Sequence, residues 1–122
     1  IASKQAIARK YEENFGDLDR LTLMPTQPGT APTYWLYTIL LEESITLVQR
    51  KEVLAELIGQ GIDARPLWHP INSLPPYAGC PAYQIEHAPS IYRRALSLPS
   101  SVGLNTGDLD LVVSAVRGIV TK

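Results

Sequence analysis

Cysteine is nearly missing: Cys80 is the only one in 122 residues. No disulfide can form within the chain, so the fold rests on packing, and a lone thiol suits a reducing compartment such as the cytoplasm. An excess of either charge is missing too. Lys and Arg number 11 against 12 Asp and Glu, a formal net charge of −1. That balance excludes nucleic acid or a membrane surface as a partner held by bulk charge. No apolar run approaches the ~18 residues of a membrane span. Ile1-Ala2-Ser3-Lys4-Gln5 has no apolar segment of the kind a signal peptide carries. Metal ligands are not clustered: His69 and His87 lie far apart, and neither has a Cys, His or carboxylate at ligand spacing. Gly-x-Gly-x-x-Gly, Walker and Gly-x-Ser-x-Gly patterns do not occur. Repeats and low-complexity stretches are also lacking. The first residue is not methionine, and a helical pattern begins almost at once. Two readings of that start stay open: a processing or cloning boundary, and a domain cut from a longer chain.

What is present is one ordered alternation of elements. Ile7, Tyr11, Phe15 and Leu18 recur at near-helical spacing and predict a helix from Ala2 to about Phe15, punctuated by Gly16 and Asp17. Leu21 to Met24 reads as a short extended piece, and Pro25 to Pro32 as a loop. Thr33 to Leu41 is so uniformly apolar and aromatic that it predicts a strand covered on both faces. Thr46 and Gln49 fit a capping box. The helix behind it is expected to bury Leu47, Leu54, Leu57 and Ile58, with Arg50, Lys51, Glu52 and Glu56 outside. Gly59 and Gly61 can stop that helix in a left-handed cap. Ile62 to Leu67 reads as a strand. His69 to about Glu86 is long, irregular and rich in proline, and a loop of this length is usually functional or disordered. Its tyrosines speak against disorder. A short helix near Pro89 to Ala95 and a strand from Ala95 to Pro99 follow. The last helix carries Leu109, Val112, Val113, Val116, Ile119 and Val120 on one stripe, with Asp108 and Asp110 near its positive end. The order helix, strand, strand, helix, strand, helix, strand, helix implies an α+β fold. Its sheet is small and mostly antiparallel, of three to four strands, with helices packed on one face.

Chemistry concentrates between Gly61 and Tyr77. Pro66 and Pro70 flank Leu67-Trp68-His69 and hold them in a defined presentation. Arg65 has two readings: an ion pair on the sheet edge, or a planar fork for a phosphate or carboxylate. Trp68 either closes the core or offers a flat wall to a sugar or base. His69 is either a solvated surface histidine or a ligand contact. Tyr77, behind Pro75 and Pro76, can point its phenol into the same space. Cys80 lacks an activating neighbour and is expected to be a small packing residue. Ser100 and Ser101 are expected to serve a turn or cap ahead of anion binding.

These segments together resemble a known pattern. The pieces are Tyr34-Trp35-Leu36-Tyr37-Thr38-Ile39, the helix with Arg50 and Leu54 through Leu57, and Gly61-Ile62 with Arg65-Pro66-Leu67-Trp68-His69-Pro70. Leu74-Pro75-Pro76-Tyr77 and Leu96-Ser97-Leu98-Pro99-Ser100-Ser101 complete it. In this order they resemble the C-terminal small domain of the DegT/DnrJ/EryC1/StrS sugar aminotransferases, over essentially the whole chain. The resemblance implies residues 1–122 as one such domain, of aminotransferase fold type I, with the large N-terminal domain that holds pyridoxal phosphate outside this chain. It implies transfer of an amino group, from glutamate, to a nucleotide-linked keto-sugar for bacterial surface polysaccharide. It also implies work as a homodimer that docks on its own N-terminal domain.

Lys4, Lys10, Lys51 and Lys122 lie outside any motif resembling the cofactor anchor. No residue is therefore assigned as catalytic, none as a metal ligand, and the chain alone is expected to be inactive. Arg65, Trp68, His69 and Tyr77 are the substrate-binding candidates that the resemblance implies. Two other readings remain beside it: an autonomous ligand-binding or regulatory module without catalysis, and a structural domain whose loop packs on a neighbour. An exposed apolar face on the first or last helix would favour the enzyme-fragment reading.

Overall fold

A computed structural model of the chain describes residues 1–121. Helix α1 (Ala2–Phe15) leads to strands β1 (Leu21–Thr22) and β2 (Tyr37–Leu41). Helix α2 (Leu47–Gly59) and strand β3 (Arg65–Pro66) follow, then two single 3-10 turns at Ile71–Ser73 and Pro75–Tyr77. Helix α3 (Ala88–Arg94) runs directly into β4 (Ala95–Leu98), and α4 (Thr106–Val120) closes the series. The strands form one antiparallel sheet in the order β1-β2-β4-β3. The α+β class, the antiparallel sheet and the element order are those read from the sequence.

Register decides which side chains face the helices. Tyr37 pairs with Leu98, Thr38 with Ser97, and Ile39 with Leu96. Residues opposite one another in an antiparallel ladder share a face. Tyr37, Ile39, Leu41, Leu96 and Leu98 therefore line the inner face, where they pack with Ile7, Tyr11 and Phe15 of α1, Leu57 of α2 and Leu109, Val112, Val113 and Val116 of α4. Thr38, Leu40, Ala95 and Ser97 line the outer face, and Arg65, paired with Ser97, joins them from the edge strand. Pro66 is tolerated in β3 because that strand is an edge with only one neighbour.

Local chemistry explains the boundaries. Thr46 caps α2 as expected: its hydroxyl accepts from the Gln49 N–H while the Gln49 side chain accepts from the Thr46 N–H. The helix stops in a paired motif, with Gly61 N–H donating to Ile58 and Ile62 N–H to Leu57. Gly61 takes the left-handed φ of 80° that this motif requires. Helix α4 has a capping box of its own, Asn105 with Asp108.

Four expectations fail here. Strand β2 begins at Tyr37, not Thr33, because Tyr34 adopts φ 49° and breaks the extended run. The Tyr34 hydroxyl, donating to Glu12 at 3.0 Å, and its ring against Tyr37 hold that left-handed turn. Nor is β2 covered equally on both faces, since its burial alternates. In α2, Leu47 and Ile58 are exposed, while Arg50 is 2% exposed and belongs to the interior. Cys80 is exposed rather than packed, because the segment around it lies outside the core.

Long-range ion pairs tie the ends together. Arg117 on α4 grips Asp17 with both terminal nitrogens (2.6 and 2.8 Å) and donates to the Asn14 carbonyl. Arg20 holds Glu42 at 2.6 Å and donates to the Val120 carbonyl. Hydrogen bonds from these arginines hold the Asp17 and Glu42 carboxyls below their ordinary pKa. A carboxyl depressed in the folded state binds fewer protons there than when unfolded. Its stabilisation is present above the unfolded value of about 4 and is lost as pH falls through the lower folded value. The melting temperature, followed from pH 6 downward, is expected to hold until near the carboxylate range and then fall, and added salt is expected to flatten the change.

Candidate functional site

The outer face of the sheet carries the concentrated chemistry. Arg65 leaves the β3 edge with its side chain largely in water. Its Nε donates to Asp63 Oδ1 at 3.1 Å and its Nη2 to Oδ2 at 2.8 Å. The guanidinium holds the Asp63 carboxyl below its ordinary pKa, chiefly through those hydrogen bonds, and is itself raised in return. The sheet-edge ion pair is thus present, and Nη1 is left over for a further acceptor.

Trp68 does not close the core. It is 70% exposed, and its ring lies 6.0 Å from that of Trp35, tilted by 43°. Trp35 is 68% exposed, although its sequence context placed it in a covered strand. Two concavities meet here. One, of about 250 Å³, is bounded by Trp35, Arg65, Leu67, Trp68 and Ser97. The other, of about 300 Å³, is bounded by Lys4, Asp63, Arg65, Ser97 and Ser101 among others. Leu36 and Pro66 supply apolar wall. Lys4 reaches this place from α1, where its ammonium donates to the Trp35 carbonyl at 2.8 Å and to Ser100 Oγ at 3.2 Å. Ser101 keeps its expected part in a turn, its carbonyl accepting from Leu104 N–H.

The other two candidates stand apart from these concavities. His69 Nε2 lies 2.8 Å from the Tyr92 hydroxyl, and the two rings are in contact with centroids 4.5 Å apart. Tyr92 in turn faces the buried Arg50, whose guanidinium carbon sits 5.4 Å from the ring centre. Tyr77 closes the second 3-10 turn and is 43% exposed. The structure therefore brings Arg65 and Trp68 together and ties His69 to α3, while Tyr77 sits in the following turn.

Sequence reasoning missed Trp35 and Lys4 as neighbours of this site. A signal existed for Trp35, an indole next to the proline-rich loop that ends at Pro32. None existed for Lys4, which arrives only through the packing of α1. Among the described residues no group of three or more His, Cys, Asp or Glu could hold a metal ion. Among the described residues no helix is long and apolar enough to cross a membrane.

Comparison with known proteins gives a consistent picture. The model of the DegT/DnrJ/EryC1/StrS aminotransferase family matches residues 1–117. GDP-perosamine synthase of Caulobacter vibrioides is 32% identical over 124 residues, covering 98% of this chain and 32% of that protein. The dTDP-3-amino-3,4,6-trideoxy-alpha-D-glucose transaminase of Streptomyces venezuelae is 32% identical over 119 residues, covering 93% of this chain and 29% of its own length. The chain thus spans about a third of the curated relatives it matches. Among solved structures, S. venezuelae DesV in complex with a ketimine intermediate superposes with a TM-score of 0.84 at 28% identity, over 99% of this chain and 32% of that one. Helicobacter pylori PseC, an aminotransferase of pseudoaminic acid biosynthesis, gives 0.87 at 21% identity, over 98% and 32%, and speaks to the fold alone.

Proposed function

Because the chain belongs to the DegT/DnrJ/EryC1/StrS aminotransferase family, we propose that it is the C-terminal small domain of a sugar-nucleotide aminotransferase. The reaction read here moves an amino group from glutamate to a nucleotide-linked keto-sugar. The observation that carries this reading is the placement of Arg65 and Trp68 side by side on the outer face, in water, beside an open concavity. Relatives named for GDP- and dTDP-linked sugars support a nucleotide sugar as the substrate.

Pyridoxal phosphate, when bound in such enzymes, supplies the electron sink that lets an amino group change carbon. The described residues of this chain do not fit it as a complete site. A Schiff-base lysine must offer a free amine. Lys4 is engaged by a carbonyl and a hydroxyl, Lys10 pairs with Asp110 at 3.0 Å, and Lys51 stands exposed on α2. Lys122 lies outside the described residues. The reading therefore puts the cofactor in a preceding large domain and leaves this chain to bind and orient the sugar nucleotide.

Each candidate has a part in that task. The Arg65 guanidinium offers Nη1 to a phosphate oxygen, with its orientation fixed by Asp63. The Trp68 indole gives the apolar face of a hexose a flat surface. His69, oriented by Tyr92, and Tyr77 stand apart from the concavities and are read as outlying polar contacts for the same substrate. The assembled enzyme is read as a cytoplasmic homodimer, and Leu111, 53% exposed on α4, is apolar surface available for packing against a neighbouring domain.

The test is kinetic. In the enzyme assembled with its cofactor domain, Arg65→Ala is expected to raise KM for the nucleotide sugar about tenfold, with kcat little changed, as loss of uniform binding requires. Unchanged KM would leave Arg65 as the structural partner of Asp63 and nothing more.

A further inference from the structure

His69 is exposed, yet one of its ring nitrogens is already engaged. Nε2 lies 2.8 Å from the Tyr92 hydroxyl, while Nδ1 has no hydrogen-bond partner among the described residues. A proton lies between Nε2 and the phenol oxygen, and its owner decides what His69 can do. If the phenol donates, Nε2 accepts and the neutral ring carries its own proton on Nδ1. If the imidazole donates, Nδ1 is left as a bare lone pair.

The chemistry of the pair favours the first arrangement. An imidazole nitrogen is a stronger acceptor than a phenol oxygen, and a phenol is a stronger donor than a neutral imidazole N–H. The surroundings of Tyr92 add to that bias. Arg50 is 2% exposed, its Nε has no partner among the described residues, and its guanidinium carbon sits 5.4 Å from the Tyr92 ring centre. A buried cation is weakly screened. It draws electron density from the ring, which leaves the phenol oxygen a poorer acceptor and its O–H a better donor. Both partners are also held in place. Next to Tyr92, Arg93 donates to the Ile45 carbonyl at 2.6 Å and Arg94 to the Leu41 carbonyl at 3.3 Å, with Glu43 at 3.6 Å from Arg94. Next to His69, Pro70 restricts the backbone. The Pro70 carbonyl in turn accepts from the Ser73 N–H and hydroxyl.

We propose that Tyr92, backed by Arg50, is a positioning residue that holds His69 in its Nδ1–H tautomer, so that the imidazole meets the substrate as a hydrogen-bond donor and not as an acceptor. Free histidine in water favours the other tautomer, so the choice is imposed by the fold. A ligand group that can only donate finds no acceptor at this point. The inference rests on the nucleotide-sugar reading above for the acceptor alone, a hydroxyl or phosphate oxygen of that molecule.

Nitrogen NMR reads the tautomer directly, since protonated and bare ring nitrogens have well-separated shifts. The chain has two histidines, so His87→Gln assigns the signals. At about pH 8.5, above the ordinary histidine range, the parent is expected to show Nδ1 protonated and Nε2 bare at position 69. Tyr92→Phe keeps the ring against Arg50 and is expected to return His69 to mainly Nε2–H. Arg50→Met is expected to give a mixture, with Arg50→Lys closer to the parent. Nε2–H in the parent, or a ring indifferent to Tyr92→Phe or to Arg50→Met, overturns the inference whatever the substrate. In the enzyme assembled with its cofactor domain, Tyr92→Phe is expected to raise KM for the nucleotide sugar about threefold and His69→Ala about tenfold, with kcat little changed. The double variant is expected to match His69→Ala, because Tyr92 acts through His69. KM unmoved by both while Arg65→Ala raises it overturns the inference and leaves the nucleotide-sugar reading intact. KM unmoved by all three overturns that reading of the site and the inference with it.

Discussion

Tyr11→Ala is expected to remove about 3–5 kcal/mol of stability, a large part of the roughly 5–15 kcal/mol that a domain possesses. Tyr11 is fully buried at the junction of α1 with the sheet. Its ring stacks on Phe15 at 5.6 Å and meets Tyr37 at 4.9 Å, and its hydroxyl donates to the Pro99 carbonyl at 2.7 Å. Truncation removes the ring contacts, opens a void in a rigid aromatic cluster, and leaves a carbonyl without its donor. Tyr11→Phe separates these effects and is expected to lose only about 1–2 kcal/mol, the cost of the orphaned acceptor. Tyr37→Phe is the control. Its hydroxyl is buried and finds no hydrogen-bond partner among the described residues, so its removal is expected to be neutral or slightly stabilising. Urea midpoints for the three variants, at constant slope, decide the order. Equal losses for the two Phe variants would refute the role given to the Pro99 contact.

Arg50 gives the second large effect, and its sign depends on what replaces it. The side chain is buried, its Nε has no partner among the described residues, and its guanidinium lies against the Tyr92 ring. Arg50→Ala is expected to cost about 2–4 kcal/mol through lost volume. Arg50→Met keeps most of the volume and removes a charge that is costly to bury, so it is expected to stay within about 1 kcal/mol of the parent. The aromatic contact has a separate consequence. Tyr92 reaches His69 through its hydroxyl, so both substitutions are expected to shift the His69 ring signals in an NMR spectrum while leaving the Trp35 and Trp68 indole signals in place. An unmoved His69 would mean that Arg50 acts through packing alone.

The helices were legible because their stripes repeat at the helical period and their ends carry local signals. Thr46 with Gln49, and Gly61, show that capping chemistry is contained in a few adjacent residues. The capping box of Asn105 and Asp108 was just as local and was overlooked. Residues whose fate depends on distant partners were not legible. Arg50 has the sequence context of a solvated helix position, and the Tyr92 ring that meets it in the interior is brought over by α3. Trp35 resembles a strand residue until Tyr34 turns the chain. The binding face divides the same way: Arg65 and Trp68 are neighbours along the backbone and could be paired from spacing. Lys4 and Trp35 join them only after α1 and the pre-β2 loop have packed.

The contact of Arg117 with Asn14 spans 103 positions. Neither α1 nor the central pairing of β2 with β4 can reach its final environment until the last helix is available. Loop closure over such distances is slow, and local helices form long before it. Synthesis on a ribosome therefore leaves the aromatic cluster of α1 without its cover until α4 has emerged. Refolding is expected to proceed late and in one step, and a ribosome stalled before α4 emerges would present a chaperone substrate.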